Sequence, residues 1–173
     1  TNVLVSRKAS IYNPEQIVLG DNIRIDDFCI LSGNIKLGSY IHISAYTCLI
    51  GGVKGIILQD FVTVSSRCAV YAVSDDFSGE QLNNSMIPTA YRSVIEGRVI
   101  LEDYVSVGTG STILPGVKLE EGAAVGAMSF VKHTLEGWKI YAGAPCRYVK
   151  DRNQNMKQLR AVLQNSGEYE ESR

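Results

Sequence analysis

The sequence predicts an all-β chain wound as a parallel coil of triangular section, and three observations predict it. Apolar residues recur at the first and third places of successive six-residue units from Ile17 onward. Fifteen such hexads are present, which is five coils of three sides each. No stretch of helical period separates them, and 16 glycines against 4 prolines indicate many tight turns made without proline.

The first run has first places Ile17, Ile23, Cys29, Ile35, Ile41 and Thr47, and third places Leu19, Ile25, Leu31, Leu37, Ile43 and Leu49. The pattern returns at Ile56, Val62 and Cys68, and again at Val99, Val105, Ser111, Val117, Ala123 and Ser129. An apolar-x-apolar triplet is a very short strand with two side chains on one face, and the next three residues turn the chain. Three sides close a coil of 18 residues. One coil cannot bury its own inward face, so the coils must stack cooperatively. A doubly wound α/β fold is excluded because no helices join the strands, and ordinary hairpin sheets do not recur every six residues.

The repeat breaks twice. Three extra residues fall around Gly51-Gly52-Val53-Lys54-Gly55, and about 25 leave the coil as one long external loop, residues 74–98. Both breaks follow the third side, as does the C-terminal exit, so the excursions share one corner. Loops on a rigid scaffold are where chemistry concentrates. Residues 1–150 form the coil domain in this reading. From Ile140 to Lys150 the chain is expected to be irregular. Asp151 to Gln164 reads as an amphipathic helix with Met156, Leu159, Leu163 and Val162 on its apolar side. Residues 165–173 form a polar tail that is expected to fray.

Composition bounds the function. At 173 residues the chain fits one domain, and 45% apolar with 20% charged residues is a globular composition. A net charge of -1 disfavours nucleic acid as a partner. No apolar run is long enough for a membrane span. No secretory leader is visible, although a chain that starts at Thr1 could have lost one. The cysteines at 29, 48, 68 and 146 lack the close pairing of zinc sites, so they read as small apolar residues of a reduced, cytoplasmic protein.

The hexads, together with Ala142-Gly143-Ala144-Pro145-Cys146-Arg147, resemble the hexapeptide-repeat acyltransferases over roughly residues 17–150. The resemblance implies a left-handed parallel β-helix of about five coils, a homotrimer, and acetyl-CoA or another acyl-CoA as donor. Val62 to Arg147 is similar to galactoside and maltose O-acetyltransferases, whose catalytic histidine lies at the root of the external loop. Here Asp75 stands at that place, and the loop has no histidine. The run Asp75-Asp76-Phe77-Ser78-Gly79 looks more like bacterial enzymes that N-acylate nucleotide-linked (dTDP or UDP) deoxyamino sugars for surface polysaccharide.

The chemistry agrees with that departure. A sugar hydroxyl must lose its proton as it attacks, which calls for a base such as histidine. An amine with a pKa near ~8 is already about a tenth neutral at pH 7. A carboxylate then suffices to orient it and take a proton. Asp75 and Asp76 are the candidates for this role, against a plain turn in which their carboxylates bond nearby amides. Ser65 is a candidate oxyanion donor or a simple turn serine. His42, outward on side two with Arg24, Thr63, Ser106 and Ala124, and Ser66 are candidate sugar contacts; a surface or interface role is the alternative.

Small residues at the second corner, including Gly108-Thr109-Gly110 and Gly126-Ala127-Met128, are what tight turns need in any case. The resemblance adds that coenzyme A lies along such corners, with Thr109, Gly126 and Ala127 as contacts. Lys132 and Arg147, near Lys150, would meet its phosphates. His133 beside Lys132 reads as a coenzyme contact or surface residue. Two histidines are too few for the three-histidine zinc site of γ-type carbonic anhydrases, so no metal is expected. A sugar O-acetyltransferase and a non-catalytic trimeric β-helix scaffold remain the competing readings.

Overall fold

A computed structural model describes residues 2–166. Of the expected polar tail, residues 167–173 lie outside the described residues. The chain is a parallel β-helix with one C-terminal α-helix, Met156–Ser166. Along the second side, Val3–Val5, Ile23–Ile25, Ile41–Ile43, Thr63–Val64, Ser106–Val107, Ala124–Val125 and Lys139–Ala142 stack in parallel. These are seven rungs where the hexads indicated about five coils. The extra N-terminal rung carries the same apolar alternation, but a 3-10 turn at Pro14–Gln16 lengthens the corner before Ile17 and breaks the count. The extra C-terminal rung keeps Leu135 and Tyr141 in the core with fewer apolar neighbours in sequence.

The inward columns follow the hexad. Leu37, Leu58, Leu101 and Leu119 stack on side one, and Ile25, Ile43, Val64, Val107 and Val125 on side two, all at most 4% exposed. Emptying one such leucine position costs about 2–5 kcal/mol. The first column of side three is different: Cys29, Thr47, Cys68, Ser111 and Ser129, all buried and all small. Their hydroxyls are paired to backbone. Thr47 donates to the Ser65 carbonyl at 2.9 Å, and Ser111 and Ser129 donate to the Gly126 carbonyl at 3.0 and 2.7 Å. A buried hydroxyl with a partner carries little penalty, and here the partner is a corner that would otherwise hold an unpaired carbonyl.

The sixth residue of the hexad takes the left-handed backbone conformation. Asn22, Phe28, Tyr40, Tyr46, Phe61, Arg67, Tyr104 and Met128 all have φ between 56° and 63°. That conformation is disfavoured for bulky side chains. Ring stacking up the first corner offsets it: Tyr40 on Phe61 at 4.6 Å, Phe61 on Tyr104 at 5.5 Å, and Tyr104 against Trp138 at 5.7 Å. Gly122 (φ 71°) breaks this column because a Cβ there would lie 2.4 Å from the Trp138 ring, which folds across it.

This ladder docks the C-terminal helix in a way the sequence did not indicate. Leu159 and Val162, expected on the buried side, are exposed. Arg160 instead reaches Asp60 at 2.9 Å and Asp103 at 2.7 Å, with its guanidinium 4.8 Å from the Phe61 ring centre. Lys157 pairs with Glu121 and covers Trp138. The segment expected to be irregular is a hairpin: Arg147–Asp151 returns antiparallel to Lys139–Ala142, so the helix starts at Met156 and not at Asp151.

Both breaks in the repeat leave from the third corner. At the first, pairing between Ile30–Leu37 and Cys48–Leu58 shifts register around Gly33 and Gly52, absorbing the three extra residues as a bulge. At the second, Val73–Asp75 pairs antiparallel with Val94–Glu96 to form the root of an arm, and the chain rejoins side one at Val99 beside Ile56.

Candidate active site

The arm root decides where its side chains point. The register sets Val73 opposite Glu96 and Asp75 opposite Val94. Directly opposed residues of an antiparallel pair share a face, and alternate residues along each strand share it too. Asp75 and Phe77 on one strand, with Arg92, Val94 and Glu96 on the other, therefore face one way. They line a cleft of about 690 Å³ whose other wall is Ile50, Tyr71 and Leu114, on the outside of side three. Burial lifts the Tyr71 phenol above its ordinary pKa, and the Cys48 thiol 3.9 Å away adds to this.

Asp76 lies on the opposite face. Its carboxylate accepts the Ser78 amide at 2.8 Å and the Ser93 hydroxyl at 2.9 Å. Those bonds, the Ser78 amide foremost, hold its pKa below the ordinary carboxylate value. The two neighbouring aspartates thus differ in surroundings: Asp76 ties the arm together, while Asp75 faces the cleft.

The second corner lies across side three from this cleft. Its rows are Ser44-Ala45-Tyr46, Ser65-Ser66-Arg67, Gly108-Thr109-Gly110 and Gly126-Ala127-Met128. The Ser65 amide donates to the Val107 carbonyl and its carbonyl accepts Thr47, which fixes the backbone under its hydroxyl. Ser66 accepts the Gly110 amide through its carbonyl, and the Thr109 carbonyl accepts the Met128 amide. Gly126 donates to Tyr141, and Thr109 and Ala127 are exposed beside it. With no bulky side chain at Gly108, Thr109, Gly126 or Ala127, the corner is open down to its backbone, a surface a narrow polar chain can follow. Lys132 and Arg147 are exposed at the same end and form no ion pair among the described residues.

His42 stands outward on side two in the row Arg24, His42, Thr63, Ser106, Ala124. Its Nε2 lies 2.8 Å from Asp26, which also accepts Arg24 at 2.7 Å. Partial burial raises the Asp26 pKa, but the bonds from Arg24 and His42 outweigh it and leave the carboxyl below its usual value. Within one chain Ser65 and Asp75 do not meet, because the whole third side, through Ala69–Tyr71, runs between them.

Sequence reasoning missed Arg92, Glu96 and Tyr71 as cleft residues. The signal, an alternation Arg92-x-Val94-x-Glu96, becomes legible only once its register against Asp75 is known. It also missed Asp26 as the partner of His42. No group of three or more His, Cys, Asp or Glu side chains among the described residues is placed to hold a metal ion. No helix among them is long and apolar enough to cross a membrane.

A coiled scaffold with an arm rooted in a carboxylate-bearing cleft, and an open backbone corner nearby, defines the class of left-handed β-helix acyltransferases. No protein-family model matches the chain. A dTDP-4-amino-4,6-dideoxy-D-glucose acyltransferase of Escherichia coli is 38% identical over 168 residues, covering 95% of this chain and 87% of that protein. AntD, an N-acyltransferase from Bacillus cereus, has been solved as a serine-to-alanine variant with dTDP-4-amino-4,6-dideoxyglucose and coenzyme A. It superposes with a TM-score of 0.95 at 51% identity, over 96% of this chain and 89% of AntD. AntD with dTDP and 3-hydroxybutyryl-CoA gives 0.94 at 52% identity, over 96% and 88%. The chain belongs to this family of nucleotide-sugar N-acyltransferases.

Proposed function

We propose that this protein transfers an acyl group from an acyl-coenzyme A to the amine of a dTDP-linked deoxyamino sugar. The observation that carries the reading is the ligand pair held by AntD, dTDP-4-amino-4,6-dideoxyglucose with coenzyme A, at 51% identity over nearly the whole chain. AntD variants have been made at one serine and one aspartate ten residues apart in that chain. Ser65 and Asp75 are also ten residues apart. Ser66 and Asp76 share the spacing, but the Asp76 carboxylate is occupied by Ser78 and Ser93.

Asp75 orients the amine in the cleft and accepts its proton as the new C–N bond forms; the acyl C–S bond then breaks and the coenzyme leaves as a thiolate that takes up the proton. Ser65 donates its hydroxyl to the oxygen that gains charge on the acyl carbonyl. The corner through Thr109, Gly126 and Ala127 holds the arm of the coenzyme, which supplies the acyl thioester, and Lys132 and Arg147 meet its phosphates. His42 and Ser66 contact the sugar. Because side three separates Ser65 from Asp75 in one chain, a site that uses both is built between copies, which supports a homotrimer with three equivalent sites. Four unpaired cysteines suit a reducing, cytoplasmic setting.

The test is thiol release from acetyl-CoA with a panel of amino sugars, free and nucleotide-linked, alongside their hydroxyl counterparts. Turnover is expected with dTDP-linked amino sugars. Turnover confined to the hydroxyl counterparts, or none with any acceptor, refutes the reading.

A further inference from the structure

The cleft carries an unassigned cation. Arg92 is half-buried, shares the cleft-facing side of the arm with Asp75, and its guanidinium makes no hydrogen bond or ion pair among the described residues. Every other arginine in the described residues that is as well covered, Arg152 and Arg160, is engaged by carbonyls, hydroxyls or carboxylates. A half-buried guanidinium without a partner has lost some hydration and gained nothing in return. Its place is fixed by backbone: Arg92 bridges to Leu82, and the Leu82 amide donates to the Tyr91 carbonyl at 3.1 Å.

Charge along the cleft is ordered. Continuing the register from Asp75 opposite Val94 sets Arg92 opposite Phe77, one step outward along the arm. Glu96, opposite Val73, lies one step inward. Diagonal neighbours across such a pair are about 7–8 Å apart. The order from the arm toward the β-helix is therefore cation, carboxylate, carboxylate, with the apolar wall of Ile50, Tyr71 and Leu114 facing them.

We infer that Arg92 binds the diphosphate of the acceptor, so that the cleft reads its substrate as a zwitterion: diphosphate outward on Arg92, ammonium inward between Asp75 and Glu96. This rests on the proposed function above and assigns the residue that selects a nucleotide-linked sugar over a free one. A guanidinium matches phosphate oxygens in a two-pronged contact that an ammonium group cannot reproduce. Glu96 repels a diphosphate placed the other way round, so one orientation is favoured. An amine on the carbon opposite the phosphate-bearing one spans the two ends better than an amine nearer to it. The deoxy carbon of the sugar then meets the apolar wall.

The experiment compares the wild type with Arg92→Met and Arg92→Lys, all checked for fold by circular dichroism and thermal melting. The readouts are KM and kcat for the dTDP-linked amino sugar, KM for the free amino sugar, KM for acetyl-CoA, and dTDP affinity by calorimetry. Arg92→Met should raise KM for the nucleotide sugar and weaken dTDP binding by roughly 10- to 100-fold, the loss of a charge-assisted contact. The free sugar and acetyl-CoA should keep their KM values, and Arg92→Lys should recover only part of the loss. Equal effects on free and linked sugars, or an unchanged dTDP affinity in a folded variant, overturn the assignment. If the wild type binds dTDP and loses it in Arg92→Met but acylates no amine, the diphosphate site stands and the proposed reaction falls.

Discussion

Asp75→Asn and Asp76→Asn, made in parallel, separate two carboxylates that are adjacent in sequence and opposite in orientation. No side-chain hydrogen bond of Asp75 is present among the described residues, so the asparagine breaks nothing internal and stability should move by less than about 0.5 kcal/mol. Its effect falls on the reaction. A positioned base is worth ~10²–10⁴ in rate. An amine that is about a tenth neutral at pH 7 already has part of that help, and needs only about 1.4 kcal/mol to reach the neutral form. The loss should therefore sit in the lower half, ~10²–10³ in kcat, which is about 3–4 kcal/mol. Between pH 7 and about pH 8 the neutral fraction of the amine rises about fivefold, and the variant should recover by that factor while the wild type gains less. Asp76→Asn keeps one oxygen to accept the Ser78 amide and turns an NH2 donor toward the Ser93 hydroxyl in place of the second oxygen, so the arm should melt lower while kcat changes only a few-fold. Steady-state kinetics across that pH range, with a melt for each variant, is the assay. Near wild-type turnover of Asp75→Asn at pH 7, or a larger loss from Asp76→Asn, refutes the assignment of the base.

Ala127→Trp should fill the open corner and raise the coenzyme Kd at least about tenfold, while the melt stays unchanged because Ala123 and Val125 beneath it remain buried; unchanged affinity by calorimetry would place the coenzyme elsewhere. Arg160→Met removes two ion pairs and the contacts with the Phe61 and Tyr104 rings from partly exposed groups, a loss of about 2 kcal/mol after screening. An 11-residue helix is too short to persist undocked, so amide exchange across Met156–Ser166 should accelerate sharply; slow exchange retained there counts against the clamp. Asp26, whose folded pKa lies below its ordinary 3.8, stabilises the fold above that pH and ceases to do so as pH falls through the folded value. Melts from about pH 6 down to about pH 3 should show a steeper acid loss for the wild type than for Asp26→Asn, by under about 1 kcal/mol since Arg24 and His42 are each about half exposed and screened by solvent; parallel curves would show that the pair contributes nothing.

The hexad pattern made the scaffold legible because each strand needs only two inward side chains, and the spacing that places them is strict. Legibility failed where that strictness relaxes. The 3-10 turn at Pro14–Gln16 hid the first coil, and the last strands were hidden because Arg147–Asp151, at the sheet edge, has a neighbour on one side only and no buried residue to set a pattern. The C-terminal helix misled for another reason. Its apolar periodicity is real, but Arg160 finds two carboxylates and a stacked aromatic column, and those outweigh what Leu159 and Val162 would gain. Within the candidate site the sequence singled out Asp75 and Asp76 together. Telling them apart takes the pairing of Asp75 with Val94, a contact 19 residues away that no local signal encodes. Arg92 was invisible for the same reason.

Where the arm leaves the coil, the strands on either side of the gap remain neighbours: Val99 lies beside Ile56, 43 residues back, while Ile100 lies beside Lys118, only 18 residues on. Closing a loop of 43 residues in place of 18 costs about (3/2)RT ln(43/18), or about 0.8 kcal/mol. The closure term for an entire substrate-handling arm is thus about equal to the burial of one methylene group. Arms of other lengths and chemistries can be exchanged at this corner with almost no thermodynamic consequence for the coils, so acceptor choice can drift in evolution, or be grafted by design, independently of the stability of the fold that carries it.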